Sequence, residues 1–122
     1  VIRGAIGGHC DTAAGAAVSI VVTPLIRGRI ASVVEHVGTV VTPGSTVDIL
    51  VTDQGTAVNP RRPELRDRLE AAGMPVTDIR ELQSRARRLV GSPEPIRFTD
   101  RVVGVVTYRD GSVIDLIHQI DA

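Results

Sequence analysis

Several residue types are scarce in this 122-residue sequence, and each scarcity excludes a class of protein. Aromatic residues make up only 2%, essentially Phe98 and Tyr108, so there is no platform on which nucleic-acid bases could stack. Fourteen basic and 14 acidic residues cancel, which argues against binding to nucleic acid or to an anionic membrane surface. The longest apolar run, Ala16 to Ile26, contains Pro24 and is shorter than the ~20 residues that span a bilayer.

Cysteine and lysine are also rare or absent. The single cysteine, Cys10, cannot form an internal disulfide, so we expect a reducing, cytoplasmic location. All 14 basic residues are arginines, which excludes a Schiff-base lysine or a P-loop lysine within these residues. The chain begins at Val1 without an initiator methionine or a leader pattern. We therefore expect residues 1–122 to be one domain that belongs to a longer protein.

Valine and isoleucine outnumber leucine, which favours β-structure in the first half of the chain. The pattern predicts the end of a strand at Val1–Ile6, a strand buried on both faces at Ala17–Val22, one or two strands within Ile30–Val41, and a strand at Val47–Thr52. Between them we expect a small-residue loop at Gly7–Gly15 and turns at Arg27–Arg29 and Pro43–Gly44.

The middle of the chain changes to a helical period. Pro63 suits the first position of a helix that ends at Gly73 and has an inner face of Leu65, Leu69 and Ala72. A second helix is expected to begin at Asp78, with Glu81 completing a capping box, and to end at Gly91. Its apolar stripe consists of Ile79, Leu82, Ala86 and Leu89. The last turns of this helix carry the basic residues Arg85, Arg87 and Arg88. These residues complement the helix dipole, so a bound ligand is not needed to explain them.

A short irregular connection, Ser92–Pro95, precedes a predicted hairpin. Its strands are Val102–Tyr108 and Val113–Ile120, joined by a primed two-residue turn at Asp110-Gly111. Strict alternation would place Ile114, Leu116 and Ile120 on one face and Asp115 and Gln119 on the other. By the same alternation His118 lies on the apolar face. A single histidine there is more typical of a hydrogen-bonded structural residue than of a residue that binds a ligand. The fold class is α/β: a mixed β-sheet with flanking helices and a C-terminal β-hairpin.

One segment, Gly4–Gly15, concentrates reactive residue types. The paired glycines Gly7 and Gly8 allow close approach to a ligand, and their N–H groups could stabilise an oxyanion on a thioester carbonyl. His9 could bind or orient a carboxylate, and Asp11 could fix the histidine tautomer or cap the following turn. The ordinary alternatives are a tight turn at Gly7-Gly8 and a small buried side chain at Cys10. A metal site is not expected, because adjacent side chains rarely converge on one ion.

A second polar cluster runs from Thr52–Gly55 to Asn59–Arg62. The planar guanidinium of arginine binds carboxylates through two hydrogen bonds, so Asn59 and Arg61 are candidates for binding a polycarboxylate. The same argument applies to Arg27 and Arg29. The alternative is a turn at Asn59-Pro60 followed by a solvated helix start.

Four segments, in order, carry a resemblance over nearly the whole chain: GAIGGHCDTAAGA, VVTPLIRGRI, VTPGSTVDILVTDQGTAVNPRRPEL and PEPIRFTDRVVGVVTYRDGSVID. They resemble the C-terminal part of the citrate lyase alpha subunit. More distantly, Gly7-Gly8 followed by Asp11 looks like the glycine-rich loop of the CoA-transferase superfamily. The departures, at Ala17-Val18, at Thr56 and around Ser84–Ala86, lie outside that loop.

The resemblance implies part of a CoA-transferase-like domain that acts on an acyl carrier protein. Such a subunit exchanges acetyl for citryl on the thioester of the carrier's CoA-like arm, and a separate beta subunit cleaves the citryl-carrier. The implied partners are citrate, acetate, the carrier (gamma) subunit and the beta subunit, in an oligomer with no permanently bound cofactor. Cys10 need not react, because the thiol belongs to the arm. By the same resemblance Gly7, Gly8, His9 and Asp11 are the catalytic candidates.

Two alternatives remain at the level of sequence. One is a transferase that uses free acyl-CoA and short carboxylic acids. The other is a noncatalytic segment that serves subunit packing, with Val1–Ile6 pairing upstream strands. The resemblance implies that the upstream half of the active site, including any glutamate nucleophile, lies before Val1.

Overall fold

A computed structural model of the chain describes residues 7–92 and 94–121. The predicted strand end at Val1–Ile6, Gly4 of the glycine-rich segment and Pro93 of the predicted connection lie outside the described residues. In chain order the elements are α1 (His9–Gly15), β1 (Ile20–Val22), β2 (Ile26–Arg27), β3 (Ile30–Ala31), a 3₁₀ turn (Gly44–Thr46), β4 (Ile49–Thr52), β5 (Gly55–Val58), α2 (Pro63–Ala71), α3 (Ile79–Val90), β6 (Phe98–Thr107) and β7 (Val113–Ile120).

The centre of the described structure is a three-stranded mixed sheet in the order β1-β4-β5. Strand β1 runs parallel to β4, and β4 runs antiparallel to β5. Side chains alternate along the strands, so the two faces carry separate apolar clusters. Helix α3 packs on one face through Leu25, Val33, Ala57, Leu82 and Ala86. Helix α2 packs on the other through Ile49, Val58 and Leu65. The predicted class, a mixed sheet with flanking helices and a C-terminal hairpin, is confirmed.

Both predicted helices are present, and local signals set their ends. Pro63 is the first residue of α2, and Gly73 beyond its end has a φ of +74°. Asp78 caps α3 by accepting a hydrogen bond from the backbone N–H of Arg80 at 2.8 Å. The other half of the predicted capping box is not seen, because Glu81 pairs with Arg85 one turn along the helix.

Only the middle of the apolar stripe on α3 lies in the hydrophobic core. Leu82 and Ala86 are completely buried, whereas Ile79 and Leu89 are 46% and 62% exposed. A 12-residue helix is about 18 Å long. Strands β4 and β5, with four residues each, span only about 13 Å, so they cannot cover the whole length of the helix.

Two expectations for the first half of the chain are wrong. Residues 7–15 are not a loop, since α1 forms there and buries Cys10 and Ala13, one turn apart on the same face. The strand at Ala17–Val22 is shorter than predicted and is not buried on both faces. Ile20 and Val22 are 55% and 75% exposed, because β1 lies at the edge of the described sheet and α2 covers only β4 and β5.

The next segments agree in part with the sequence. The turn at Arg27–Arg29 is confirmed, with a φ of +64° at Gly28. Within Ile30–Val41, however, only Ile30–Ala31 pairs as a strand among the described residues. The Pro43-Gly44 turn is confirmed as the start of a 3₁₀ turn, in which the N–H of Thr46 bonds to the Pro43 carbonyl. Strand β5, which was not predicted, follows β4 after a tight turn.

The C-terminal hairpin is confirmed, but its turn is not a primed two-residue turn. The N–H of Tyr108 bonds to the Ser112 carbonyl at 2.8 Å, so three residues form the loop. A primed type I′ turn needs positive φ at both central residues. Within the described chain only glycines have positive φ, and in this loop that residue is Gly111 at +85°. Asp110 stabilises the loop by accepting two hydrogen bonds from Ser112.

Irregular register changes how the hairpin faces the rest of the molecule. Shifts in the β6–β7 pairing break the strict alternation that the sequence predicts. Leu116 and Ile120 are exposed, whereas Asp115 is half-buried and accepts the N–H of Val40 at 2.7 Å. His118 is half-buried and its Nδ1 contacts the Thr99 carbonyl at 3.2 Å, in agreement with the hydrogen-bonded role predicted for it.

We expect Asp115→Asn to change the pH dependence of stability. The N–H groups of Val40 and Leu116 donate to the carboxylate and lower the pKa of Asp115. A carboxylate with a depressed folded pKa contributes stability above the unfolded value of ~3.9, and that contribution is lost as pH falls through the folded pKa. The variant should melt at a lower Tm than the parent at pH 7, and the difference should shrink towards pH 3. Asp67→Asn is the matched control, and an equal difference at both pH values would contradict the expectation.

Candidate functional site

The glycine pair stands immediately before α1 and faces open space. Gly7 has a φ of +52°, a conformation that favours glycine, and Gly8 is the N-cap residue of the helix. Among the described residues, a Cβ atom added to either glycine would meet nothing within 4 Å. The carbonyl of Gly8 is occupied by Thr12, which bonds through both its N–H and its hydroxyl. The N–H groups of the first helical turn have no carbonyl partner within the helix, and within residues 7–92 and 94–121 no other acceptor occupies them, so an anion could bind there.

His9 is exposed in the first turn of α1 and is held from outside the helix. Its Nδ1 lies 2.8 Å from the hydroxyl of Thr42. The other ring nitrogen, Nε2, is therefore the one left for a ligand. Asp11 does not orient this ring, because residues two apart on a helix point in different directions. Asp11 instead places a negative charge in the first turn, where it complements the helix dipole.

Cys10 is a packing residue. It is 7% exposed, and its backbone carbonyl accepts a hydrogen bond from the Tyr108 hydroxyl at 3.4 Å. The prediction of a small buried side chain at this position is confirmed. Across residues 7–92 and 94–121, no group of three or more His, Cys, Asp or Glu side chains could hold a metal ion.

Asn59 has a structural role in the described chain. Its amide nitrogen donates to the carbonyls of Gly44 and Val47, at 3.0 and 2.8 Å. Its side-chain oxygen accepts the N–H of Arg61 at 3.0 Å. The amide nitrogen and the oxygen of Asn59 therefore all take part in hydrogen bonds, and these bonds hold the 3₁₀ turn against the end of β5.

The arginine candidates differ in availability. Arg61 is exposed, and its side chain has no partner among the residues that the structure describes. Arg27 and Arg29 are also exposed, on either side of the Gly28 turn. Arg62, by contrast, is not part of a solvated helix start. It donates to Asp48 at 2.7 Å, and its bond to Glu64 raises the pKa of Arg62 and lowers that of Glu64.

The sequence did not point to Asp48, which organises this end of the sheet. It is 6% exposed, and its second oxygen accepts the N–H of Ser19 at 2.8 Å. Its carboxylate thus joins the start of β1 to Arg62 just before α2. In the sequence, the only feature that could have indicated this role is the position of a charged residue directly before the apolar run of β4.

The polar cluster at Thr52–Gly55 is also structural. Asp53 accepts the N–H of Leu25 at 2.7 Å, and this bond lowers the pKa of Asp53. The hydroxyl of Thr52 donates to the carbonyl of Gly55 at 2.8 Å and closes the β4–β5 turn. These groups therefore hold elements together and are not arranged around an open site.

The two predicted clusters meet at the 3₁₀ turn. Helix α1 packs against Gly44–Thr46, and Asn59 bonds the carbonyl of Gly44 from the other side. A groove of about 640 Å³ runs between this turn and the hairpin. Its walls carry the hydroxyls of Ser45, Thr46 and Ser112, apolar side chains, and the carboxylates of Asp110 and Asp115.

No helix within the described ranges is long and apolar enough to cross a membrane.

Comparisons with known proteins agree with one another. The family model for "Citrate lyase, alpha subunit (CitF)" matches residues 1–120. The citrate lyase alpha chains of Escherichia coli K12 and Klebsiella pneumoniae are 64% and 63% identical over 120 residues, which is 98% of this chain and 24% of each of those proteins. A solved structure from Streptococcus mutans, described as an alpha subunit of citrate lyase in complex with citrate, superposes with a TM-score of 0.92 at 48% identity. The superposition covers 100% of this chain and 24% of the Streptococcus mutans chain.

The chain thus spans about a quarter of the length of the proteins that it matches. Family model, sequence relatives and structural neighbour all support one conclusion: this chain belongs to the citrate lyase alpha subunit family.

Proposed function

We propose that this chain is part of a citrate:acyl-carrier-protein transferase, which exchanges acetyl for citryl on the thioester of the carrier's CoA-like arm. Family membership supports this role, and the structural relative from Streptococcus mutans is described in complex with citrate. The observation that carries the proposal is the open Gly7-Gly8 start of α1, whose N–H groups lie beside an exposed histidine. The proposed partners are the carrier and lyase subunits of an oligomeric complex.

The exchange needs a group that stabilises negative charge on a carbonyl oxygen. A citrate carboxylate attacks the acetyl thioester, which releases the thiolate of the arm and forms a mixed anhydride. The thiolate then attacks the citryl carbonyl, which gives citryl-carrier and acetate. Both steps pass through a tetrahedral oxyanion, and backbone N–H groups at the start of α1 are suited to bind it.

The proposed roles of the other residues follow from their availability. Nε2 of His9 donates to a carboxylate of citrate, with the ring held by Thr42. Asp11 helps to form the first turn, and Arg61 is the available guanidinium for a second carboxylate. Asn59 supports substrate binding only by fixing the 3₁₀ turn.

No resident cofactor is proposed, because the reactive thiol belongs to the carrier. We assign the groove beside the 3₁₀ turn to the neutral, amide-bearing part of the arm. The hydroxyl oxygens of Thr46 and Ser112 donate to Pro43 and Asp110 but can still accept from amide N–H groups, and the hydroxyl of Ser45 can also donate. Asp110 and Asp115 on the same walls disfavour a phosphate group.

Gly8→Val in the full-length alpha chain tests the proposal. Gly8 has an ordinary φ of −87° and open space around its Cβ position among the described residues, so the variant should fold, with a Tm lowered by only a few degrees because valine is a poor N-cap residue. The added side chain would cover the N–H groups at the helix start, and acyl exchange with citrate should fall by about 100-fold. Gly15→Val, at the other end of α1 and equally open, is the matched control.

Unchanged exchange in Gly8→Val would remove this loop from the mechanism. The same assay, run with acetyl-carrier and with acetyl-CoA, identifies the acyl donor. Activity on acetyl-CoA but not on acetyl-carrier would show that the acyl donor is free CoA. If substitutions in this chain leave the exchange rate unchanged, its role is subunit packing.

A further inference from the structure

Tyr108 connects the groove beside the 3₁₀ turn to helix α1. It lines the groove, and its hydroxyl donates to the backbone carbonyl of Cys10, in the first turn of α1, at 3.4 Å. The two residues are 98 positions apart in the sequence. A carbonyl oxygen has two lone pairs, so it can accept this bond and a bond within the helix at the same time. The contact therefore supports α1 from outside the helix.

A second contact runs from the other side of the same groove to α1. Thr42 directly precedes Pro43, which lines the groove, and the Thr42 hydroxyl lies 2.8 Å from Nδ1 of His9. Helix α1 also packs against the 3₁₀ turn, whose residues Ser45 and Thr46 line the groove. The first turn of α1 is thus tied both to the hairpin and to the segment before β4.

Helix α1 depends on such contacts for its exact position. With seven residues it is too short to be stable alone, and the side chains that it buries, Cys10 and Ala13, are small. Apolar packing is not directional. Hydrogen bonds have preferred distances and angles, so the bonds from Tyr108 and Thr42 fix where the first turn lies.

We infer that Tyr108 and Thr42 are positioning residues, which hold the first turn of α1 at a fixed place relative to the groove beside the 3₁₀ turn. The inference rests on the proposed function, in which the groove binds the arm and the thioester reacts beside this turn. When the arm is held in the groove, its thioester meets the first turn only if the distance between the two is right. A displacement of about 1 Å can lower a reaction rate by up to about 100-fold.

Acyl exchange by the full-length alpha chain tests the inference with two acetyl donors. One is acetyl-carrier, and the other is S-acetyl-N-acetylcysteamine, which has the thioester but lacks most of the arm. In Tyr108→Phe and in Thr42→Val, kcat/KM for acetyl-carrier should fall by about 10-fold. The value for the truncated donor should change by less than about 2-fold, because a donor that the groove does not hold can follow a displaced α1.

Further measurements separate positioning from a general loss of structure. Thr42→Ser keeps the hydroxyl and should retain exchange within about 2-fold of the parent. Thr39→Val is the matched control, because Thr39 lies in the same segment and its hydroxyl makes no hydrogen bond to another described residue. In Tyr108→Phe the amide of Ala13 should keep its hydrogen-exchange rate within about 3-fold of the parent, as expected for a helix that is still folded.

Each alternative outcome has a distinct meaning. Equal losses for the two donors, no loss for acetyl-carrier, or much faster exchange at Ala13 would overturn the positioning role alone. If the parent uses only acetyl-carrier, a fall in kcat at unchanged KM supports the inference, and any other change of the two constants overturns it. A parent chain that transfers acetyl from neither donor would overturn the proposed transferase function together with this inference.

Discussion

Replacing Leu82 by alanine is expected to lower the free energy of unfolding by about 3–5 kcal/mol. Leu82 is completely buried between α3 and the sheet, in contact with the cluster that includes Leu25 and Ala57. The backbone of Gly55 approaches this side chain so closely that an added Cβ would lie 3.3 Å from its Cδ2 atom. A β-turn and a strand already confine the site, so the cavity left by truncation cannot collapse.

Leu89→Ala is the matched control, because it makes the same chemical change on the same helix. Leu89 is 62% exposed, so we expect a loss below about 1 kcal/mol. Urea denaturation of both variants measures the difference. Similar losses for the two leucines would show that the buried stripe on α3 is not centred on Leu82.

Replacing Asp48 by alanine is expected to lower the free energy of unfolding by about 3 kcal/mol. The substitution leaves the buried N–H of Ser19 without its acceptor and removes one of the two carboxylates that hold Arg62. The entry of the chain into β1 and the start of α2 should loosen together. The ion pair of Asp48 contributes more to stability than an exposed ion pair does, because the Asp48 side chain is only 9% exposed.

Asp67→Ala on the exposed side of α2 is the control for the loss of one carboxylate. We expect it to change the free energy of unfolding by less than about 0.5 kcal/mol. Thermal and urea unfolding distinguish the two variants. A loss below about 1 kcal/mol for Asp48→Ala would mean that water replaces its hydrogen bonds without cost.

Local signals predicted the elements whose ends depend on local chemistry. Asp78 caps α3 through a neighbour two residues away, and Gly73 and Gly91 take the positive φ that follows a helix. The hairpin was also visible, since its strands lie close together in the sequence. Its loop type was not, because Asp-Gly fits both a two-residue turn and the three-residue loop that forms.

Elements that depend on distant contacts were missed. Helix α1 has seven residues and is too short to be stable alone, so packing of Cys10 and Ala13 decides its existence. Strand β5 is an exception, because it pairs with its neighbour β4 across a two-residue turn and was missed although the contact is local. The exposure of β1 follows from where α2 ends. That residues 1–122 form one domain remains a prediction.

The sequence by itself determined the family, through long ordered motifs, and the α/β class, through periodicity and helix-end residues. Only the tertiary structure decided which polar groups are free. Asn59 and Arg62 are engaged with Gly44 and Asp48, whereas Arg61 and Nε2 of His9 remain open among the described residues. The physical reason is that residue type limits what a side chain can bind, while the fold alone brings it a partner 14 or 15 positions away.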